Sequence, residues 1–122
     1  MINAVRDGQV DVALNCLQKL LRAGEAPQKI LGGMNYVFKK VAQATELSRR
    51  GKPLPAALKE AGVYYKEIDA MQQYLRRIRR PRAERILNRL AQADFNLKGG
   101  SRLPDNLQME QLVLWLAGSS DL

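Results

Sequence analysis

Apolar residues recur every three or four positions along most of the chain, which is the spacing of one face of an α-helix. The clearest stripe lies between Val10 and Arg22, and Gly24 follows it at the position of a left-handed C-terminal cap. No segment alternates apolar and polar residues with the period of two that is typical of a half-buried strand. The pattern therefore predicts an all-α protein.

Glycine and proline residues separate the predicted helices. Pro27 and Pro55 each fall in the first turn of a helix, where the missing N–H is tolerated, and Pro81 forces a break at or just after Arg80. The predicted segments are 10–22, 27–50, 54–61, 65–80, 82–98 and 104–117, and residues 1–7 fit one more helical turn. We expect a single compact bundle of about six helices that forms one domain over residues 1–122.

The residue composition excludes several kinds of active site. The chain contains no histidine and a single cysteine, Cys16, which rules out a Ser-His-Asp triad, a Cys-His nucleophile, a histidine-ligated metal and an intrachain disulfide. The carboxylates show no pair set apart from water, as general acid–base catalysis requires, and no glycine pair precedes the residues of a phosphate-binding loop. We therefore expect a non-catalytic chain with no cofactor and no metal.

The longest apolar run, residues 112–117, is far shorter than the ~20 residues that a membrane-spanning helix needs. No apolar signal segment follows Met1, so the pattern supports neither secretion nor a membrane partner. Cys16 lies between Leu14 and Leu17 and is expected to be a small buried hydrophobic residue in a reducing compartment. We expect a cytoplasmic protein.

Most of the net charge lies in one helix–proline–helix corner. The formal net charge is +8, and the segment 76–89 alone carries +6, because it holds seven arginines and one acid, Glu84. The arginines are Arg76, Arg77, Arg79, Arg80, Arg82, Arg85 and Arg89. This segment, the arginine corner, leaves three interpretations open: contact with nucleic-acid phosphates, contact with an acidic face of another protein, or a solvated helix face.

The tyrosines near this corner, Tyr64, Tyr65 and Tyr74, are expected to be partly buried anchors rather than a contact patch. The apolar stripe of the segment 82–98 is formed by Ala83, Ile86, Leu87, Leu90 and Leu97, which are expected in the core. Asp94 falls on this stripe, and Lys98 follows one helical turn later. We expect an ion pair between Asp94 and Lys98 rather than a catalytic carboxylate.

Groups of residues spread over the whole chain carry a resemblance to a known family. They are Gly8; Ala13-Leu14 with Leu17, Leu20 and Leu21; Gly24-Glu25-x-Pro27 with Ile30-Leu31; Leu90-Ala91-x-Ala93-Asp94 with Leu97-Lys98; and Glu110-x-Leu112. In its order and spacing of these groups, the chain resembles the C-terminal collar domain of the delta subunit of the bacterial DNA polymerase III clamp loader.

The resemblance implies a bundle that packs beside the equivalent domains of the gamma/tau ATPase and delta-prime subunits to form a pentameric collar. The domain is then an assembly element that allows the sliding clamp to be loaded on DNA during replication. In this family an N-terminal ATPase-like module opens the clamp. The resemblance implies that the full-length protein would contact the sliding clamp only through that module. The resemblance also implies that this chain begins at the end of that module, with residues 1–8 as a remnant of the linker.

The same resemblance gives the arginine corner two candidate partners, a neighbouring collar subunit and primer–template DNA. Lys98 and Arg102 form a second place where DNA can approach. We expect contacts with other subunits to come from the second and closing helices, which carry more apolar residues than one buried face needs. These residues are Met34, Phe38, Leu114 and Trp115. The alternative function is a free-standing basic helical nucleic-acid-binding module, whose site would be the arginine corner.

Overall fold

The computed structural model describes residues 1–118, and these residues form seven α-helices and no β-strand. The helices are α1 (Ile2–Arg6), α2 (Val10–Arg22), α3 (Pro27–Arg49), α4 (Leu54–Glu60), α5 (Ile68–Ala83), α6 (Ile86–Phe95) and α7 (Asp105–Ala117). A 3₁₀ turn, Tyr65–Glu67, precedes α5, and a π turn, Asn96–Gly100, follows α6. The predicted all-α fold is confirmed, and the segment before Gly8 supplies an additional first helix.

Helix α2 ends where the sequence predicts, in a turn closed by Gly24. The N–H of Gly24 donates to the Leu21 carbonyl across 3.1 Å, and the N–H of Glu25 donates to the Leu20 carbonyl across 3.0 Å. Gly24 has a φ of +89°, a conformation that glycine adopts readily because it has no Cβ atom. The turn satisfies two carbonyls at the helix end and leads the chain to Pro27, the first residue of α3.

The break caused by Pro81 falls earlier than predicted, at Arg79. Arg79 has φ 69° and ψ 163°, and no other non-glycine residue among residues 1–118 has a positive φ. Pro81 has no N–H to continue the helix, and its ring restricts the residues before it, so the chain leaves the helical conformation at Arg79. The chain then forms one further turn, in which the N–H of Glu84 donates to the Arg80 carbonyl across 2.9 Å. Helix α6 therefore begins at Ile86 rather than near residue 82.

Helices α3 and α7 occupy the centre of the bundle. Helix α3 packs against α4, α5, α6 and α7, and α7 also packs against α1, α2 and α6. The rings of Phe38 on α3 and Tyr74 on α5 are both buried, with their centroids 5.7 Å apart. Removal of this apolar surface from water is the main force that holds the helices together.

Three of the four residues expected at a subunit interface lie inside the core. Met34 and Phe38 are 0% exposed and Trp115 is 1% exposed, so none of them has surface left for a partner. The expectation is wrong for these three residues because several helices of the same chain surround α3 and α7, and these helices cover the surplus apolar residues. Leu114 is partly exposed and is still a candidate contact.

Candidate interaction surfaces

The arginine corner lies where α5 turns into α6, and five of its seven arginines are exposed: Arg76, Arg77, Arg79, Arg80 and Arg85. Of these, Arg76 donates to Gln72 across 3.3 Å and Arg80 lies 3.4 Å from Glu84. Arg82 and Arg89 are partly buried. The sequence shows where the arginines are concentrated but not which of them bind within the chain.

Arg77 binds the C-terminal ends of two helices. Its guanidinium donates to the carbonyls of Arg6 at 3.0 Å and of Ala117, which end α1 and α7. It also packs against Gly8 and Gly118, where a Cβ atom would come within 2.9 Å of it. A cation at a helix C-terminus interacts favourably with the helix dipole and with carbonyls that have no partner in the helix. Most of the hydrogen-bonding capacity of Arg77 is therefore used within this chain.

Three other arginines surround the single tryptophan. The guanidinium carbons of Arg82, Arg85 and Arg89 lie 5.3, 5.9 and 5.9 Å from the centre of the Trp115 ring. Arg82 also donates to the Trp115 carbonyl across 2.9 Å. At these distances a guanidinium is attracted to the face of an indole ring. Trp115 was predicted to contact another subunit. Its buried ring instead lies against the three guanidinium groups and orients them.

A recess of about 240 Å³ opens beside this cluster, lined by Arg85, Asn88, Arg89, Gln92 and Trp115. Two buried nitrogen atoms of this lining, Nε of Arg89 and Nε1 of Trp115, have no hydrogen-bond partner within residues 1–118. The pKa of the Arg89 guanidinium is lowered because burial disfavours its charge and because Arg85 places a like charge nearby. A buried donor without an acceptor destabilises a protein by about 1–3 kcal/mol, so these two nitrogen atoms lower the stability of the fold.

Lys98 and Arg102 lie beyond the far end of α6. Lys98 forms the predicted ion pair with Asp94, with 2.9 Å between Nζ and Oδ2. Arg102 is exposed in the segment that leads to α7. The ten residues of α6 span about 15 Å, so these two cations form a surface separate from the arginine corner.

Four exposed apolar side chains, which sequence reasoning missed, lie on α6 and around the start of α7. Leu87 is 46% and Phe95 is 62% exposed on α6, and Leu103 and Leu107 are 45% and 42% exposed before and within the first turn of α7. We call these four residues the apolar strip. The sequence stripe had placed Leu87 in the core. A signal was present, because Ile86, Leu90, Ala93 and Leu97 already form a complete buried face without Leu87 and Phe95.

The three tyrosines near the arginine corner differ in their exposure to solvent. Tyr74 is buried, but Tyr64 and Tyr65 are 57% and 68% exposed and their rings pack edge to face. Tyr36 on α3 is also exposed, and Lys40 Nζ lies 4.0 Å from the centre of its ring. The expectation of partial burial was therefore wrong for Tyr64 and Tyr65, which lie in and beside the 3₁₀ turn rather than on a helix stripe.

Three further features of the described residues concern metal binding, membrane crossing and the single cysteine. Within residues 1–118, no three histidine, cysteine, aspartate or glutamate side chains are grouped closely enough to hold a metal ion. None of the helices from α1 to α7 combines the length and the apolar character that crossing a membrane requires. Cys16 is partly buried and carries a free thiol.

Comparisons with known proteins bear on the family. Neither the curated proteins nor the solved structures provided a match to this chain. A family model described as DNA polymerase III delta subunit, C-terminal domain, matches residues 1–116, which include every helix of the fold except the last residue of α7. The match extends over nearly the whole chain and agrees with the resemblance carried by its residues. The chain therefore belongs to the family of C-terminal domains of the DNA polymerase III delta subunit.

Proposed function

We propose that this chain is a non-catalytic assembly domain of the DNA polymerase III clamp loader. It packs with the equivalent domains of the gamma/tau ATPase and delta-prime subunits into a pentameric collar, in the bacterial cytoplasm. Contact with the sliding clamp belongs to the N-terminal ATPase-like module of the full-length protein, and primer–template DNA is a further candidate partner. Family membership supports this function, and the observation that carries it to particular residues is the apolar strip.

The apolar strip has the character of a docking surface. Single exposed apolar residues are ordinary on protein surfaces, but four large ones occur here within residues 87–107. They follow one another along α6, the π turn and the start of α7, and these three elements pack together. Leu114, further along α7, is partly exposed and joins the candidates. Burial against a neighbouring subunit would remove this apolar surface from water.

The geometry of the π turn supports the same surface. The ring of Phe95 lies over Gly100, where a Cβ atom would come within 2.3 Å of its Cδ1 atom. Gly99 adopts a φ of +107°, which lets the chain reverse tightly beneath the ring. Phe95 is therefore held in a defined position although it is exposed. A rigid aromatic side chain loses little conformational freedom on binding, which favours it as an interface anchor.

The alternative function, a free-standing nucleic-acid-binding module, is supported by a different observation. The segment 76–89 carries a net charge of +6, and five of its seven arginines are exposed. Such a module would need no partner subunit. Its affinity for nucleic acid would fall steeply as salt is added, because binding phosphates releases counterions.

Light scattering after size exclusion tests the assembly function. The 122-residue chain is run alone and mixed with the collar regions of the gamma/tau and delta-prime subunits from the same organism, at low and moderate salt. We expect a stoichiometric complex that survives moderate salt. Absence of a complex, together with salt-sensitive retention of labelled primer–template DNA, would overturn the assembly function in favour of the alternative.

A matched pair of variants assigns the complex to the apolar strip. Leu87 on α6 and Val12 on α2 are 46% and 49% exposed, so replacement by glutamate adds the same charge at equal exposure. Leu87→Glu is expected to weaken the complex at least about tenfold, because the carboxylate must be desolvated at the interface. Val12→Glu is expected to change the affinity of the complex by less than about twofold. Equal weakening by both variants would mean that the strip is not the interface.

A further inference from the structure

Three exposed tyrosines lie on one side of the bundle, on α3 and at the 3₁₀ turn that follows α4. Tyr36, Tyr64 and Tyr65 are 69%, 57% and 68% exposed. We call these three residues, together with Lys40 and Lys66, the tyrosine patch. We propose that the tyrosine patch binds a single-stranded nucleic acid by stacking against its unpaired bases. This site goes beyond the assembly function, does not depend on it and uses no residue of the arginine corner.

The turn after α4 brings the tyrosines of the two elements onto one surface. Gly62 has a φ of +95° and closes the end of α4, as a glycine in the left-handed conformation often does. A Cβ atom on Gly62 would lie 3.9 Å from Cε of Lys40, so this turn packs against α3. Lys40 Nζ lies 4.0 Å from the centre of the Tyr36 ring. Because Gly62 is only two residues before Tyr64, the fold places Tyr64 and Tyr65 on the same side as Tyr36.

The rings of the patch are exposed and also held in place. The rings of Tyr64 and Tyr65 pack edge to face, with 4.8 Å between their centroids. Lys40 lies against one side of the Tyr36 ring. A side chain that already has a defined position loses little conformational freedom when a ligand binds. Aromatic rings of this kind are the usual platforms for unpaired bases, because every base has a flat π face.

The cations of the patch supply contacts for a phosphate backbone. Lys66 Nζ lies 5.8 Å from the centre of the Tyr65 ring. Neither Lys40 nor Lys66 forms an ion pair within residues 1–118. The acids on either side of the turn, Glu60 and Glu67, form ion pairs with cations outside the patch. The patch therefore combines stacking platforms with positive charge that no carboxylate of the described residues neutralises.

The kind of apolar residue favours bases over a protein partner. Between residues 13 and 86, the three tyrosines are the only large apolar side chains that are exposed. A protein interface usually has an apolar centre around its aromatic residues, and the apolar strip includes three leucines. The tyrosine patch has no exposed leucine, isoleucine or valine beside its rings. Its chemistry suits a flat aromatic ligand that carries negative charge.

Fluorescence anisotropy with labelled oligonucleotides separates stacking from general positive charge. The 122-residue chain is titrated with an oligothymidylate of about ten nucleotides and with an abasic strand of the same length and charge. We expect binding to the oligothymidylate to be at least about fivefold tighter, because only this strand carries bases. A duplex of the same length should lose this advantage, since its bases are already stacked. An oligouridylate distinguishes RNA from DNA as the source of the bases.

Variants assign the preference for bases to the tyrosine patch. Tyr36→Ala is expected to reduce the ratio of the two affinities at least about threefold, because one stacking platform is lost. Tyr36→Phe keeps the ring and should keep the ratio within about twofold. Val12→Ala is the matched control, because Val12 is a large apolar residue that is 49% exposed and lies outside the patch. It should also leave the ratio within about twofold.

Three results would overturn the proposal. Equal affinity for the oligothymidylate and the abasic strand would mean attraction by charge alone. An equal loss in Tyr36→Ala and Val12→Ala would place the stacking elsewhere. If Tyr36→Ala breaks the complex with the collar partners and leaves oligonucleotide binding unchanged, the patch contacts protein. The ratio of the two affinities does not enter the scattering test of assembly, so failure of one proposal is distinguishable from failure of the other.

Discussion

The Tyr74 hydroxyl donates a hydrogen bond to the carbonyl of Leu116 across 2.6 Å, and this contact joins α5 to the last turn of α7. The two neighbouring carbonyls, of Trp115 and Ala117, accept from Arg82 and Arg77, which also belong to α5. The last carbonyls of a helix have no partner within it. One helix thus caps three consecutive carbonyls of another, which places part of the arginine corner in a structural role.

The buried Tyr74 hydroxyl predicts a loss of stability in alkaline solution. Burial raises the pKa of Tyr74 above its ordinary value, although the nearby Arg77 and Arg82 partly oppose this. Above about pH 10 the unfolded chain loses this proton while the folded chain keeps it, so the free energy of unfolding falls as pH rises, by up to ~1.4 kcal/mol per pH unit.

Urea denaturation at pH 8 and pH 11 measures this effect, with Tyr74→Phe as the reference. The variant is expected to be less stable at pH 8, because the Leu116 carbonyl loses its donor, by about 1–2 kcal/mol. The difference between the two proteins should shrink at pH 11, because phenylalanine does not titrate. A constant difference over this range would show that Tyr74 is not held neutral by the fold.

Arg77→Gln tests the capping of α1 and α7. The variant removes a guanidinium that donates to Arg6 and Ala117 carbonyls, and we expect the free energy of unfolding to fall by about 1–3 kcal/mol. Arg76→Gln is the matched control, because Arg76 is exposed and its side chain contacts Gln72 on its own helix. The control should change stability by less than ~0.5 kcal/mol. Equal losses of stability in chemical denaturation would mean that Arg77 contributes through its charge alone and not through its hydrogen bonds to the helix ends.

Arg79→Gly is expected to stabilise the chain. Arg79 has φ 69° and ψ 163°, a region that is essentially restricted to glycine and that destabilises other residues by about 1–3 kcal/mol. Relief of this strain outweighs the cost of the extra conformational entropy that glycine gives the unfolded chain. We therefore expect the free energy of unfolding to rise by about 1 kcal/mol. Arg80→Gly should instead lower stability by about 0.5–1 kcal/mol, since Arg80 is helical. If thermal denaturation shows that both variants are less stable than the original chain, then Arg79 is not strained.

Phe38→Ala and Leu87→Ala test the reassignment of core and interface. Phe38 is 0% exposed, so its truncation is expected to lower the free energy of unfolding by about 3–5 kcal/mol. Leu87 is 46% exposed and should tolerate alanine within ~0.5 kcal/mol while losing affinity for collar partners. Denaturation curves and the scattering experiment measure the two effects. A stable Phe38→Ala variant that fails to assemble would restore the original assignment of Phe38 to the interface.

The candidate surfaces could be predicted in composition but not in geometry. The sequence located seven arginines in the segment 76–89, and the predicted pair of Asp94 and Lys98 is confirmed. It did not show that Arg77 binds two helix ends or that Trp115 lies under three arginines, because these contacts join residues about 30 to 70 positions apart. Long-range contacts depend on how helices pack and leave no periodic signal along the chain.

The sequence by itself determined the all-α architecture, most helix ends and the concentration of charge, because apolar period, glycine turns and proline breaks act over a few residues. Only the tertiary structure decided that Met34, Phe38 and Trp115 are core rather than interface. A helix with apolar residues on two sides can bury either side, or both. The number of neighbouring helices decides this, and α3 and α7 are surrounded while the outer face of α6 is not.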